Sequence, residues 1–172
     1  VWWESKLYRQ ILDSNFISVD FKLAPSKFDQ SIILADFYPV IKGQNHIWVV
    51  ASQRVVETPD CQNCFIAIPY VVGISDDFSE ILWETRMFDS DTFSSIPSYD
   101  ATSITQVEDG YIFAGAMNAG AGTASGILGK VSLSGDSLWL KHYIPVGWDS
   151  SRGLWFQLKD IKTTPLGNIV AC

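Results

Sequence analysis

A six-residue pattern recurs in this chain and restricts its folding more than any other feature: Trp3-Glu4-Ser5-Lys6-Leu7-Tyr8 matches Trp83-Glu84-Thr85-Arg86-Met87-Phe88 position by position. Each copy runs Trp, Glu, a small hydroxyl, a base, an aliphatic and an aromatic. Leu138-Trp139-Leu140-Lys141-His142-Tyr143 is a looser third copy. Apolar and polar residues alternate in all of them, the period-2 pattern of a strand with one buried face. A second repeated element precedes the Trp strand. Ile47-Trp48-Val49-Val50-Ala51-Ser52 parallels Tyr111-Ile112-Phe113-Ala114-Gly115-Ala116, and Asn168-Ile169-Val170-Ala171-Cys172 parallels it again.

The spacing is regular. Tyr111 to Asn168 is 57 residues and Trp83 to Trp139 is 56, while Ile47 to Tyr111 is 64 and Trp3 to Trp83 is 80. Further strand candidates, Phe65–Ile74 and residues 126–133, lie between each second element and its Trp strand. Asp109-Gly110 is a strong hairpin turn, because both residue types tolerate positive φ. Four short strands in about 50 residues are the unit of a β-propeller blade. The chain is therefore predicted to be all-β and to hold part of a propeller, an incomplete ring of four-stranded antiparallel blades. Residues 1–9 supply the last strand of one blade, 32–88 and 101–144 two whole blades, and 158–172 the first two strands of another. Residues 10–31 form an insertion, with 20–31 able to hold a helical turn. At about 57 residues per blade, a ring of four to eight blades needs roughly 230–460 residues. The 172 residues are thus expected to be a portion of a larger domain whose other blades, or another chain, cover the open strand edges.

Composition narrows the function classes. The charge is −7, from 12 Lys+Arg against 19 Asp+Glu, which disfavours nucleic acid and polybasic membrane binding. No apolar run approaches the roughly 18 residues of a membrane-spanning helix. Seven Trp, ten Phe and six Tyr require extensive burial. The repeated Trp3, Trp83 and Trp139 suit packing between neighbouring blades, and small Ala51, Ala114, Gly115 and Ala171 suit a tightly packed second strand.

The run Asp109-Gly110-Tyr111-Ile112-Phe113-Ala114-Gly115, followed by Gly126-Ile127-Leu128-Gly129-Lys130-Val131-Ser132-Leu133-Ser134-Gly135-Asp136-Ser137-Leu138-Trp139-Leu140-Lys141-His142-Tyr143, resembles the extracellular β-propeller repeats of Bacteroidetes-type secreted proteins. The resemblance is good over 101–143, fair over 47–88 and weak elsewhere. It implies secretion or surface display, often through the type IX secretion pathway, and it fixes no catalytic residue.

Cys61-Gln62-Asn63-Cys64 lacks the second ligand pair that zinc requires. A short-range disulfide or plain turn cysteines is the preferred reading, with free thiols the alternative. Gly120-Ala121-Gly122-Thr123-Ala124-Ser125-Gly126 fits neither nucleotide-loop spacing and reads as a loop. Asp89-Ser90-Asp91-Thr92 departs from a calcium loop at Phe93. His46 and His142 read as packed or surface histidines. Asp36 and Asp160 are the nearest approach to a paired-carboxylate site. Trp148 and Trp155 fall outside the repeated Trp position and are the candidates for stacking on sugar. The expectation is a secreted or cell-surface module that binds protein or glycan, needs no cofactor or metal and is not an enzyme. Alternatives are a propeller-scaffold hydrolase or lyase completed by other blades, and a component or cargo of a secretion or adhesion assembly.

Overall fold

Runs of alternating or continuous apolar residues, separated by turn residues, become twelve strands in the computed structural model, which describes residues 8–12, 18–23, 40–57, 65–87, 98–118, 124–145 and 156–172. Strands β1 (Tyr8–Leu12) and β2 (Ser18–Leu23) form an antiparallel hairpin. The alternation Val19, Phe21, Leu23 explains why 18–23 is extended. The first residues of the 20–31 segment are therefore strand, where a helical turn was expected.

Strands β3 (Val40–Lys42), β4 (Trp48–Glu57), β5 (Phe65–Ile74) and β6 (Ile81–Arg86) pair in chain order as sheet I. Strands β7 (Ser98–Val107), β8 (Gly110–Asn118), β9 (Ala124–Ser132) and β10 (Ser137–Tyr143) repeat the same meander as sheet II. Strands β11 (Ile161–Thr163) and β12 (Ile169–Ala171) make the two-stranded sheet III. All pairings are antiparallel. Among the described residues the one helical element is a 3-10 turn, Gln44–His46, so no helix there is long and apolar enough to cross a membrane.

Sheets I and II carry the same irregularity. Ile74 pairs with Ile81 and Gly73 with Trp83, which leaves Leu82 as an extra residue; Val131 pairs with Ser137 and Lys130 with Trp139, which leaves Leu138 extra. A bulge at one site in both outer strands shows that the repeat extends to backbone detail.

The sheets pack face to face. Val49, Ala51 and Val71 of sheet I meet Tyr99, Tyr111, Phe113, Ile127 and Val131 of sheet II in one buried cluster. The opposite face of sheet II buries Ile112, Ala114 and Leu128 against Leu158 and Ile161. Alternate residues of β8 thus face opposite layers, and the strand is sealed on both sides. Small residues are needed here. A side chain at Gly115 would collide with the Asp100 carbonyl across the ladder, and Ala114 is fully buried. The turn at Ser75 places Phe78 at φ 61, the conformation that Gly135 and Gly167 take at φ 94 and 78 in the corresponding Ser/Thr-initiated turns. Such a conformation is costly for an aromatic residue. Burial of its ring, edge-on to Trp48 at 5.9 Å, offsets that strain.

Candidate functional site

The two described members of the Trp repeat occupy equivalent places. Trp83 is on β6 and Trp139 on β10, the outer strands of sheets I and II. Trp83 reaches toward sheet II, with its ring 6.4 Å from that of Tyr111 and its face over Gly73 and Gly135. Trp139 packs against the cluster that lies between sheets II and III, formed by Ile112, Ala114, Leu128, Leu158 and Ile161. Trp3, Trp148, Trp155, Cys61, Cys64, Asp36 and residues 89–92 lie outside the described residues. Cys172 is a free, exposed thiol.

Asp160 is a tie between sheets. Its Oδ1 accepts from the Ser103 hydroxyl at 2.9 Å and from the Ile161 N–H at 2.8 Å. These bonds, the Ser103 one foremost, hold its carboxyl below the usual range, which suits a fixed anion better than a proton donor. His46 is exposed, 3.7 Å from Asp76 in a cluster where Lys42 Nζ approaches Asp76 Oδ1 at 2.7 Å. His142 lies on the exposed outer strand β10. Segment 124–126 of the glycine-rich run is the start of β9.

Among the described residues a concavity lies at one end of the sheets, where the turns β3–β4, β7–β8 and β11–β12 come together around a cavity of about 630 Å³. That is within the roughly 300–1,000 Å³ of small-ligand sites. Gln44, Gln106, Asp109, Lys130, Thr163 and Ile169 are among the residues lining it. All three sheets contribute, so the site depends on how they stack.

Two polar links shape the groove. Lys130, on β9 opposite Ile112, donates to both oxygens of Asp109 at 2.7 Å; the lysine side chain is 15% exposed and the aspartate 67%. The ammonium group is the main cause that holds the Asp109 carboxyl below its ordinary value of 3.8. Gln106, opposite Tyr111 on the ladder, accepts the Gln44 N–H on Oε1 at 2.9 Å and joins the turn of sheet I to sheet II. Its Nε2 has no hydrogen-bond partner among the described residues.

The groove exists because the repeat changes at two positions. Between sheets I and II, Tyr111 fills the turn end so closely that a side chain at Gly43 would strike its hydroxyl. In sheet III the ladder position of Tyr111 is taken by the smaller Ile169, since Gln106 pairs with Tyr111 and Thr163, 57 residues later, pairs with Ile169, which lines the groove. Lys130 stands 57 residues after Gly73 and replaces a glycine pressed under an indole. A lone cation in an otherwise apolar strand was a visible signal for this residue, but its partner Asp109 was not, because that pairing needs the register of β8 and β9.

The Asp109–Lys130 pair makes stability depend on pH with a definite sign. A carboxylate with a depressed folded-state value stabilises the fold above its unfolded value, near 3.8, and loses that contribution as pH falls through the folded value. Asp109→Asn should lower the thermal midpoint at pH 7, and the gap to wild type should shrink in thermal scans as the pH falls from 3.8 through the folded value. A gap of unchanged size at low pH would mean that the charge is not the source.

No protein-family model and no curated protein matches this chain.

Proposed function

We propose that the chain is part of an extracellular β-propeller like those of Bacteroidetes-type secreted proteins, and that it acts as a non-catalytic module for binding protein or glycan. One observation carries this reading. Successive antiparallel sheets stack face to face with β7 beside both β3 and β11, and Trp83 and Trp139 each pack toward the following sheet. Adjacent first strands and interleaved outer-strand aromatics are what blades around a common axis require. In that arrangement the outer edge of β12, with Ile169 and Val170 exposed, pairs with a further strand from the same protein or another chain. The groove at the turn ends is then the ligand-facing surface.

The test is a mixed microarray of short peptides and oligosaccharides probed with the labelled full chain. Retention of one ligand class without chemical change is the expected result. Turnover of any arrayed compound, followed by mass spectrometry, would replace the binding module with the hydrolase or lyase alternative.

A further inference from the structure

The occupant of the turn-end groove is constrained by its walls. Val107, Ile112, Pro165 and Ile169 are apolar, and Thr163 and Gln106 add hydrogen-bonding groups. The Gln106 carboxamide is held by the bond from the Gln44 N–H and its Nε2 is buried, so the hydroxyl of exposed Thr163 is the donor on this wall of the groove. Among the described residues no aromatic ring lines the groove, so it lacks the flat platform on which a sugar ring stacks.

Charge narrows the choice further. Asp109 neutralises Lys130 through both oxygens, which leaves exposed Glu108 as the uncompensated charge of the lining, on a chain of net charge −7. An anionic ligand meets repulsion there, and a cation meets attraction.

We propose that the turn-end groove binds an extended polypeptide segment bearing a basic side chain. Small apolar side chains of the segment lie along Val107 and Ile169, a backbone carbonyl accepts from the Thr163 hydroxyl, and its Lys or Arg sits opposite Glu108. This assignment rests on the reading of the chain as a binding module and names the ligand that the module takes.

The test is a titration of the ¹⁵N-labelled full chain with capped Ac-Val-Lys-Val-Thr-NH₂, with the same peptide carrying Glu in place of Lys, and with cellotetraose. The Lys peptide should shift amides of residues 106–112 and 163–169, bind about tenfold more tightly than the Glu peptide, and weaken as salt is added. Glu108→Lys, at an exposed turn position, should reverse the preference between the peptides. Thr163→Tyr should fill the groove and abolish the shifts from both, while amides outside the groove keep their wild-type positions. Equal affinity for the two peptides, or shifts confined to another face, would overturn the proposal. Binding of cellotetraose alone would overturn the ligand class and leave the binding-module reading standing, whereas silence from all three would remove both.

Discussion

Trp83→Ala should lower the unfolding free energy by about 3 kcal/mol and the thermal midpoint by roughly 6–12 °C, the expected cost of removing a large ring from a packed interface in a chain of this size. The ring spans two layers: it lies over Gly73 of its own sheet and over Gly135 of the next, and it sits beside Tyr111. Truncation therefore opens a void between sheets I and II, where neighbouring strands are too well hydrogen-bonded to collapse into it. Leu82→Ala, one residue earlier, is the matched control. Leu82 is the bulge residue, and at 43% exposure it contributes little to either layer. Its replacement should stay within about 0.5 kcal/mol. Guanidinium unfolding followed by circular dichroism measures both, and similar midpoints for the two variants would show that Trp83 is not an interface residue.

Gly135→Ala should cost about 2–4 kcal/mol through two separable causes. The backbone at Gly135 has φ +94, which a residue with a Cβ adopts only under strain. That Cβ would also lie 2.5 Å from Trp83 Cδ2. The turn cannot move aside easily, because the Thr85 hydroxyl of sheet I donates to the Gly135 carbonyl and Ser132 accepts the Gly135 N–H. A double-mutant cycle separates the causes. In a Trp83→Leu background the clash is gone and the dihedral cost remains, so Gly135→Ala should cost only about 1 kcal/mol there. Equal costs in both backgrounds would mean that the indole and the turn do not touch.

These two residues also mark what could be read from the residues themselves. The Trp repeat, the second-strand repeat and the Ser134-Gly135 turn are local patterns, and local patterns carry strands, turns and the face a strand buries. The meander order of sheets I and II followed from them, whereas the placing of Ile112 and Phe113 in opposite layers came only from the stacking of the sheets. The hairpin β1–β2 did not, since apart from Tyr8 its residues match no other copy and short alternating stretches compete with helical readings. The left-handed turn at Phe78 was hidden as well: its side chain argues against that conformation, and only burial against Trp48 makes it tolerable. The groove was least legible of all. Gln44 and Gln106 are 62 residues apart, and Asp109 and Lys130 are 21 apart. Such pairs become neighbours through register and layer stacking, which no single stretch of sequence encodes.

The sealing of β8 on both faces sets an order of opening for the whole molecule. Amides in a strand covered on both faces exchange with solvent only when a neighbouring layer departs, so β8, with β4 and β5, whose Val49, Val50, Val71 and Val72 are also fully buried, is among the last structure to be lost. Sheet III, with Ile169 and Val170 exposed, is held by far fewer contacts and defines the first. The turn-end groove spans this gradient, with Lys130 on the slow-opening side and Thr163 on the fast one. A ligand that bridges them ties sheet III to the better protected sheet II, and its binding free energy adds to the resistance of sheet III against local unfolding.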